Sequence, residues 1–394
     1  MPQGPAVPME WEAFLRRIAP LDKTLDYLID PDDAWLKQEA IQQLVMSLSQ
    51  GYGAIVHQDL RHPQFFSFLN PIIKSAAPNP DYMYYTAFIE GSGTYRISGW
   101  RGTNLFTHFS IGSGFIGVDD VAGPAIGHID IDELTLGANG AFQVILSAER
   151  PAGYEGDWRK LDPRARTIGV REASYDWLNE VDGRYAIERL DGPQTLERPT
   201  PEEIAHLLDR LAGFPDRYAK LFVHFVKTLK DQPINTVTAR TWSDIGGLPD
   251  QTYYEGVFEF SEDEALLFET DVPDKVRYWQ VLLADPLFNT IDWEKCQSSL
   301  NGHQARLDSD GRFRAVIAIK DPGVANWRDP AGRRKGVVQG RWYMSNSAPL
   351  PKMTRVKLAE LDRRLPADTP RLSPQARKES LLARFRGAQF RRKW

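Results

Sequence analysis

What most limits this chain's possible folds is its punctuation: two runs of short strand-like segments with one long helical block between them. The first run opens with residues 82–89, rich in aromatic and β-branched residues, and Gly91-Ser92-Gly93 then turns the chain into 94–100, a strand–turn–strand signature. Segments 105–111, 128–134, 142–148, 167–172 and 185–190 continue the run. The second run comprises 253–260, 265–270, 276–283, 304–307, 313–319 and 336–342. Between its members, the sequence Asp-Ser-Asp-Gly at 308–311 predicts a hairpin turn, because Asp and Gly tolerate the positive φ of tight turns. Strands gathered in runs argue for antiparallel layers rather than a parallel βαβ sheet.

The block between the runs begins at Thr200, an N-cap type, with Pro201 suited to the first helical position. Leu207, Leu208, Leu211, Tyr218, Leu221, Phe222, Phe225 and Leu229 give it an apolar stripe. Residues 10–60 also read as helical. Trp11, Phe14, Leu15, Ile18, Leu21, Leu25 and Leu28 recur near a 3.6 spacing, and after the start signal Asp30-Pro31-Asp32-Asp33 the pattern resumes with Trp35, Ala40, Ile41, Leu44 and Val45. The tail, 371–394, carries eight Lys or Arg against one Glu, and Leu381, Leu382, Phe385 and Ala388 share one face. It reads as a helix clasping the body or a partner subunit, which makes a homo-oligomer the expected assembly.

The expected fold is therefore mainly β with helical additions: two jelly-roll-like β-sandwich units, a helical N-terminus and a helical insert. The expected boundaries are a helical segment 1–75, a first sandwich 76–198, the insert 199–232, a second sandwich 233–350 and a basic helical tail 351–394.

A length of 394 residues suits two domains, and 42% hydrophobic with 26% charged residues is a globular composition. A formal charge of −5 gives no reason to expect nucleic acid or an anionic membrane as partner. Cys296 stands alone, which excludes an intramolecular disulfide and zinc sites built on paired cysteines. The first residues show no export pattern and no run is long enough to span a bilayer, so the expected location is cytoplasmic.

The strings Ser-Leu-Asn-Gly (299–302), Asp-Gly-Arg-Phe-Arg (310–314) and Asp-Pro-Gly-Val-Ala-Asn-Trp (321–327), with the strand at 276–283 before them and Gly340-Arg341-Trp342 after, resemble a bacterial family. It is the domain-of-unknown-function family numbered twelve-fourteen, often found beside the related twelve-fifty-four domain. The resemblance covers about 70 residues, and a weaker similarity runs through 79–82, 93–97 and 101–103. It implies paired jelly-roll-like β domains with helical additions, and it implies no particular chemistry.

No nucleotide-binding glycine loop, no Gly-x-Ser-x-Gly and no His-x-His occurs, so neither cofactor nor metal is expected. Eleven Trp, 14 Tyr and 19 Phe suit an apolar cavity as well as a bulky core. The expected ligand is an apolar or aromatic small molecule of terpenoid, steroid or phenylpropanoid type. The expected activity is cofactor-independent acid/base chemistry (lyase, isomerase or hydrolase), the alternative being a non-catalytic ligand- or glycan-binding protein. His303 and His108 are the candidate proton carriers because imidazole titrates near neutrality, with Arg341 to hold an oxyanion. Asn301, Asn326 and Arg328 supply candidate polar contacts, and Trp279, Trp327 and Trp342 a candidate wall. Asn79, Asp81, Tyr85 and Arg101 form a second cluster that shares the cavity if the two sandwiches face each other. Each residue also has a structural explanation, as a turn, a core ring or a strand cation.

Overall fold

The computed structural model describes residues 9–28, 33–120 and 122–391. Three helices lead, α1 (Trp11–Ile18), α2 (Leu21–Leu28) and α3 (Ala34–Gly51). Residues 30–32 of the expected start signal and the side chain of Leu28 lie outside the described residues, but Asp33 does cap α3 by accepting from the Leu36 N–H at 3.0 Å. The α3 stripe divides: Ala40 and Leu44 are buried, whereas Trp35, Ile41 and Val45 face outward.

The first β run contains β1 (Phe66–Leu69), β2 (Tyr82–Phe88), β3 (Tyr95–Trp100), β4 (Phe106–Gly112), β5 (Ala125–Asp130), β6 (Ala141–Ser147), β7 (Asp157–Lys160), β8 (Thr167–Ala173) and β9 (Arg184–Arg189). They form two sheets, ordered β1-β2-β8-β4-β5 and β7-β6-β3-β9, packed around Tyr85, Ile97, Phe109, Val144, Ile168 and Ile187. The strand–turn–strand expected over 82–100 is present, but it is not a hairpin. β2 and β3 lie in different layers, and the Gly91–Gly93 turn carries the chain across the sandwich. The strand expected at 128–134 stops at Asp130, whose side chain accepts from the Asp132 N–H and starts a 3-10 turn at Ile131–Glu133.

Helix α4 (Pro201–Lys230) follows, with Thr200 and Glu203 exchanging side-chain bonds to each other's backbone N–H. Its buried face holds Leu211, Phe214, Tyr218, Phe225 and Leu229; Leu221, read as part of the stripe, points outward.

The second run contains β10 (Thr238–Arg240), β11 (Gln251–Glu259), β12 (Glu264–Thr270), β13 (Val276–Ala284), β14 (Ser299–Asn301), β15 (Phe313–Ile317), β16 (Trp327–Arg328), β17 (Lys335–Ser345) and β18 (Lys352–Lys357). Its sheets are ordered β10-β11-β17-β13-β14 and β16-β15-β12-β18. Adding nine to every strand number of the first half reproduces the second. Even the parallel pairing of β6 with β7 recurs as β15 with β16. The chain is thus a tandem repeat of one nine-strand sandwich, and α4 is the link between the copies.

Two expectations about the second half change. Residues 304–307 form no strand beyond the single bridge Leu307–Phe313, because the Asn326 carboxamide occupies both backbone groups of Arg306, as a neighbouring strand would. The stretch from 351 is not all helical: β18 completes the last sheet against β12, before α5 (Leu361–Arg364) and α6 (Pro374–Phe390). Helix α6 does clasp the body, and its buried side chains include Arg377 while Leu382 is exposed. Among the described residues no helix is long and apolar enough to cross a membrane.

Candidate functional site

Strand alternation decides what each sandwich shows to the other. Along β2, Met83, Tyr85 and Ala87 enter the first core, leaving Tyr82, Tyr84 and Thr86 on the outer face. Along β17, Val338 and Trp342 enter the second core, leaving Gln339, Arg341 and Tyr343 on the outer face. These two outer faces meet. Tyr82 lies 5.4 Å from Tyr278 and Phe106 lies 4.9 Å from Tyr343, centroid to centroid.

The repeat places matching side chains on both faces. In the first half Tyr84 and His108 flank Arg171, and His108 pairs with Asp130. In the second half Tyr253 and Gln280 flank Arg341, and Gln280 pairs with Asn301. The string Pro-Asp-x-x-Tyr-Tyr occurs twice, at 80–85 and 249–254, and was the sequence signal that would have revealed this duplication.

Polar bonds cross the seam. His108 Nε2 and the Tyr343 hydroxyl are 2.7 Å apart, and Asp130 Oδ2 lies 3.6 Å from the same ring nitrogen. Burial holds the His108 pKa down at about 4; Asp130 opposes that shift, whereas Arg277, His128 and Arg171 reinforce it. The imidazole is neutral at neutral pH. Asp81 accepts from the Tyr278 hydroxyl at 2.6 Å, from Asn301 Nδ2 at 2.8 Å and from Trp177 Nε1 at 2.9 Å. Burial raises its pKa, and these three donors together with Arg391 pull it back. Asn79 Nδ2 donates to the same Tyr278 oxygen at 2.7 Å. The two expected clusters therefore do come together through Asn79, Asp81 and Asn301, but as a closed hydrogen-bonded seam.

Beside this seam a cavity of about 170 Å³ opens between the outer face of the first sheet, α4 and the turn at Gly246. Phe68, Phe115, Tyr218 and Phe222 supply its apolar walls, and Ser110 and Arg171 its polar end. Arg171 donates from Nη1 to Ser110 Oγ at 3.2 Å and from Nη2 to the Gly246 carbonyl at 2.7 Å. Among the described residues no carboxylate lies within ion-pair distance of it. Ser110 Oγ also lies 3.3 Å from His128 Nδ1, and burial first, then Arg171, lowers the His128 pKa. Neither Ser110, His128 nor Arg171 was among the residues singled out from the sequence.

Most of the expected site residues lie elsewhere. Trp279 and Trp342 pack at a tilt, 5.7 Å apart, inside the second sandwich, on the opposite face of the sheet from Arg341, so they cannot wall a site that Arg341 enters. Trp327 lies in a separate core cluster and donates to the Ala318 carbonyl at 2.8 Å. Asn326 is spent on the backbone of Arg306 and Arg314. Arg328 is buried, donating to the carbonyls of Val281 and Ser298, and burial lowers its pKa to about 9. Tyr85 belongs to the first core, yet it is also one of the residues lining the cavity. Arg101 makes a bidentate pair with Asp132. His303 is an exposed side chain 3.7 Å from Asp176 and is not part of the cavity wall. Among the described residues no group of three or more His, Cys, Asp or Glu side chains is placed to hold a metal ion.

The chain matches no protein-family model and no curated protein. It is similar to a crystal structure of an uncharacterised protein from Burkholderia cenocepacia, at 28% identity and a TM-score of 0.81, over 89% of this chain and 97% of that one. A second structure, from Vibrio parahaemolyticus, matches at 12% identity and a TM-score of 0.48, over 79% of this chain and 98% of that one.

Proposed function

We infer that the cavity beside Arg171 binds a small anionic molecule with an apolar or aromatic body. The observation that carries this reading is Arg171 itself. A guanidinium at the end of an apolar-walled cavity, bonded only to a hydroxyl and a carbonyl among the described groups, is suited to a carboxylate. The volume sharpens the ligand class. At about 170 Å³ it lies below the roughly 300 Å³ at which drug-sized pockets begin. One ring with a short acidic arm, of phenylpropanoid size, suits it better than a fused terpenoid or steroid skeleton.

Calorimetric titration with 3-phenylpropanoate and 3-phenylpropanamide tests the reading. The acid should bind at least tenfold tighter than the amide, and R171Q should erase that difference. Equal binding of acid and amide by the native chain would refute it.

A second reading, turnover of the ligand by cofactor-independent acid/base chemistry, is favoured by the contact of Ser110 Oγ with His128 Nδ1. A neutral imidazole beside a hydroxyl can relay a proton, and Arg171 can offset a developing oxyanion. On this reading H128Q retains binding of 3-phenylpropanoate-type ligands while losing product formation. His108 is less suited to the role expected of it, since its neutral ring is already engaged by Tyr343.

A further inference from the structure

The repeat shows what is peculiar to the first copy. Outward residues of the central strands fall in rows across each sheet. In the first sandwich one row runs Thr86–Gly169–Ser110 and the next Phe88–Thr167–Gly112, across β2, β8 and β4. The matching rows of the second are Glu255–Gln339–Leu282 and Val257–Val337–Ala284, across β11, β17 and β13. There Phe225, Val226 and Leu229 of α4 pack directly on Val257, Leu282, Ala284 and Val337, and Gln339 donates to the Glu255 carboxylate at 2.6 Å. The second copy's rows are thus filled and covered by the helix. In the first copy Thr86, Gly169, Ser110 and Gly112 are each smaller than their counterparts, and all four, with Thr167, line the cavity that also holds Arg171.

Gly169 stands at the centre of this floor. Its φ is not positive, and a β-carbon built on it would approach nothing closer than the Ser110 and Tyr85 carbonyls, each at 3.9 Å. Neither the backbone nor a close neighbour requires a glycine there; its missing side chain is what leaves the floor open. Two hydroxyls stand beside it. Thr86 and Thr167 are 6% and 5% exposed, and among the described residues neither side chain has a hydrogen-bond partner. Along β8 the outward order is Arg171, Gly169, Thr167. Successive outward positions on a strand are roughly 7 Å apart, close to the full width of one aromatic ring.

We propose that Gly169 determines what the site accepts: the ring of a hydroxyaryl acid lies across it, with the acid arm on Arg171 and the ring hydroxyl between Thr86 and Thr167. This assignment rests on the anion-binding reading above and narrows its ligand. The chemistry of the ring substituent follows from the two threonines. A hydroxyl both donates and accepts, as each threonine does, so it can accept from one and donate to the other. A methyl in the same place leaves two buried hydroxyls without partners, which is costly.

The test measures binding to the full chain by calorimetry, together with the Tm of each variant. G169V grows a side chain into the floor. It should bind 3-phenylpropanoate about tenfold or more weaker than the native chain, with a Tm no lower, because the added carbons displace ligand and not protein. G169A should weaken binding in the same direction, and it decides the matter should valine lower the Tm. Among 3-phenylpropanoates bearing a hydroxyl or a methyl meta or para to the arm, the better hydroxyl acid should bind about tenfold tighter than its methyl counterpart. T86V/T167V should erase that preference. Unchanged affinity in both G169A and G169V overturns the proposal. Equal binding of hydroxyl and methyl acids by the native chain overturns it too, as does a preference that survives in T86V/T167V. If the native chain binds 3-phenylpropanoate no better than 3-phenylpropanamide, the anion-binding reading has itself failed. If it binds the acid better while Gly169 and the threonines are silent, only the assignment of Gly169 has failed.

Discussion

The Tyr343 hydroxyl lies 2.7 Å from Nε2 of His108, joining two residues 235 positions apart and one sandwich to the other. The bond has a pH consequence. Burial depresses the folded His108 pKa to about 4, below the ordinary value of about 6.5. The unfolded chain therefore binds this proton more readily. The stabilisation is full above about pH 6.5 and is lost progressively as pH falls towards 4. At about 1.4 kcal/mol per pKa unit, the loss over that window is roughly 3 kcal/mol. Urea unfolding at pH 4.5 and 7, which spans most of that window, should show H108Q losing about 2 kcal/mol less stability on acidification than the native chain. Identical pH slopes would mean that the buried neutral imidazole is not what the seam responds to.

Asp81 gathers three donors from three segments, Trp177 from its own half and Tyr278 and Asn301 from the other. Removing a buried, multiply bonded carboxylate leaves those donors without an acceptor, a loss on the order of 3–5 kcal/mol. D81A should show that loss in urea unfolding. D81N retains the volume but points an amide donor at a site made of donors, and should fall between D81A and the native chain. Stability of D81A within 1 kcal/mol of native would show that the seam is held elsewhere.

The central strands of both halves were legible because their aromatic and β-branched residues fall in short runs between turn residues, and α4 was legible because Thr200 and Pro201 announce it; the mostly short strands β1, β7, β10, β14, β16 and β18 were not. The pairing was not. Whether β2 and β3 form a hairpin or cross between layers depends on long-range partners, Arg171 and Val170 of β8 for β2, and Ile145 and Ile187 of β6 and β9 for β3. Residues 327 and 328 were singled out for their chemistry, yet Trp327 and Arg328 serve the core, because a polar or aromatic residue does not declare which face of a strand it occupies. Arg171 escaped notice for the complementary reason: alone in the sequence it is an ordinary strand cation. Only its register beside Tyr84 and its position against α4 set it apart. The repeated Pro-Asp-x-x-Tyr-Tyr was visible throughout, and it pairs Arg171 with Arg341 once the copies are aligned.

Gly340 shows how tightly the second copy is packed. A β-carbon there would stand 2.0–2.3 Å from the Tyr254 ring directly across the ladder, in a core that also holds Trp279 and Trp342. The phenol is 1% exposed and has no room to retreat. G340A should therefore destabilise by about 1–3 kcal/mol through overpacking, read as a lower urea midpoint with an unchanged m-value. The equivalent position in the first half is Val170, opposite Tyr85, so a side chain is tolerated there, and V170A should instead behave as a cavity mutation.

Helix α6 is anchored less by its apolar residues than by three arginines seven positions apart. Arg377 pairs with Asp321 at 2.9 Å and donates to the carbonyls of Val324 and Ala325. Arg384 reaches the Trp293 carbonyl and Ser299 Oγ with its guanidinium 4.5 Å above Trp177. Arg391 pairs with Asp182 and donates to the Pro80 carbonyl. Seven residues make close to two turns, so Arg377 and Arg384 share one face of the helix; with Arg391, at the extended residue just past its end, they strap the second sandwich to the first. Because Arg384 divides its donors between a carbonyl and a hydroxyl and also stacks on an indole, lysine should not replace it. R384K and R384A should both destabilise, by about 1.5–3 kcal/mol, the usual worth of hydrogen bonds to a charged group. Truncation after residue 373 should lower Tm while leaving the sedimentation coefficient at that of the same oligomeric state, since this face of the helix is committed to its own chain. A change of oligomeric state on truncation would instead assign α6 to a subunit interface.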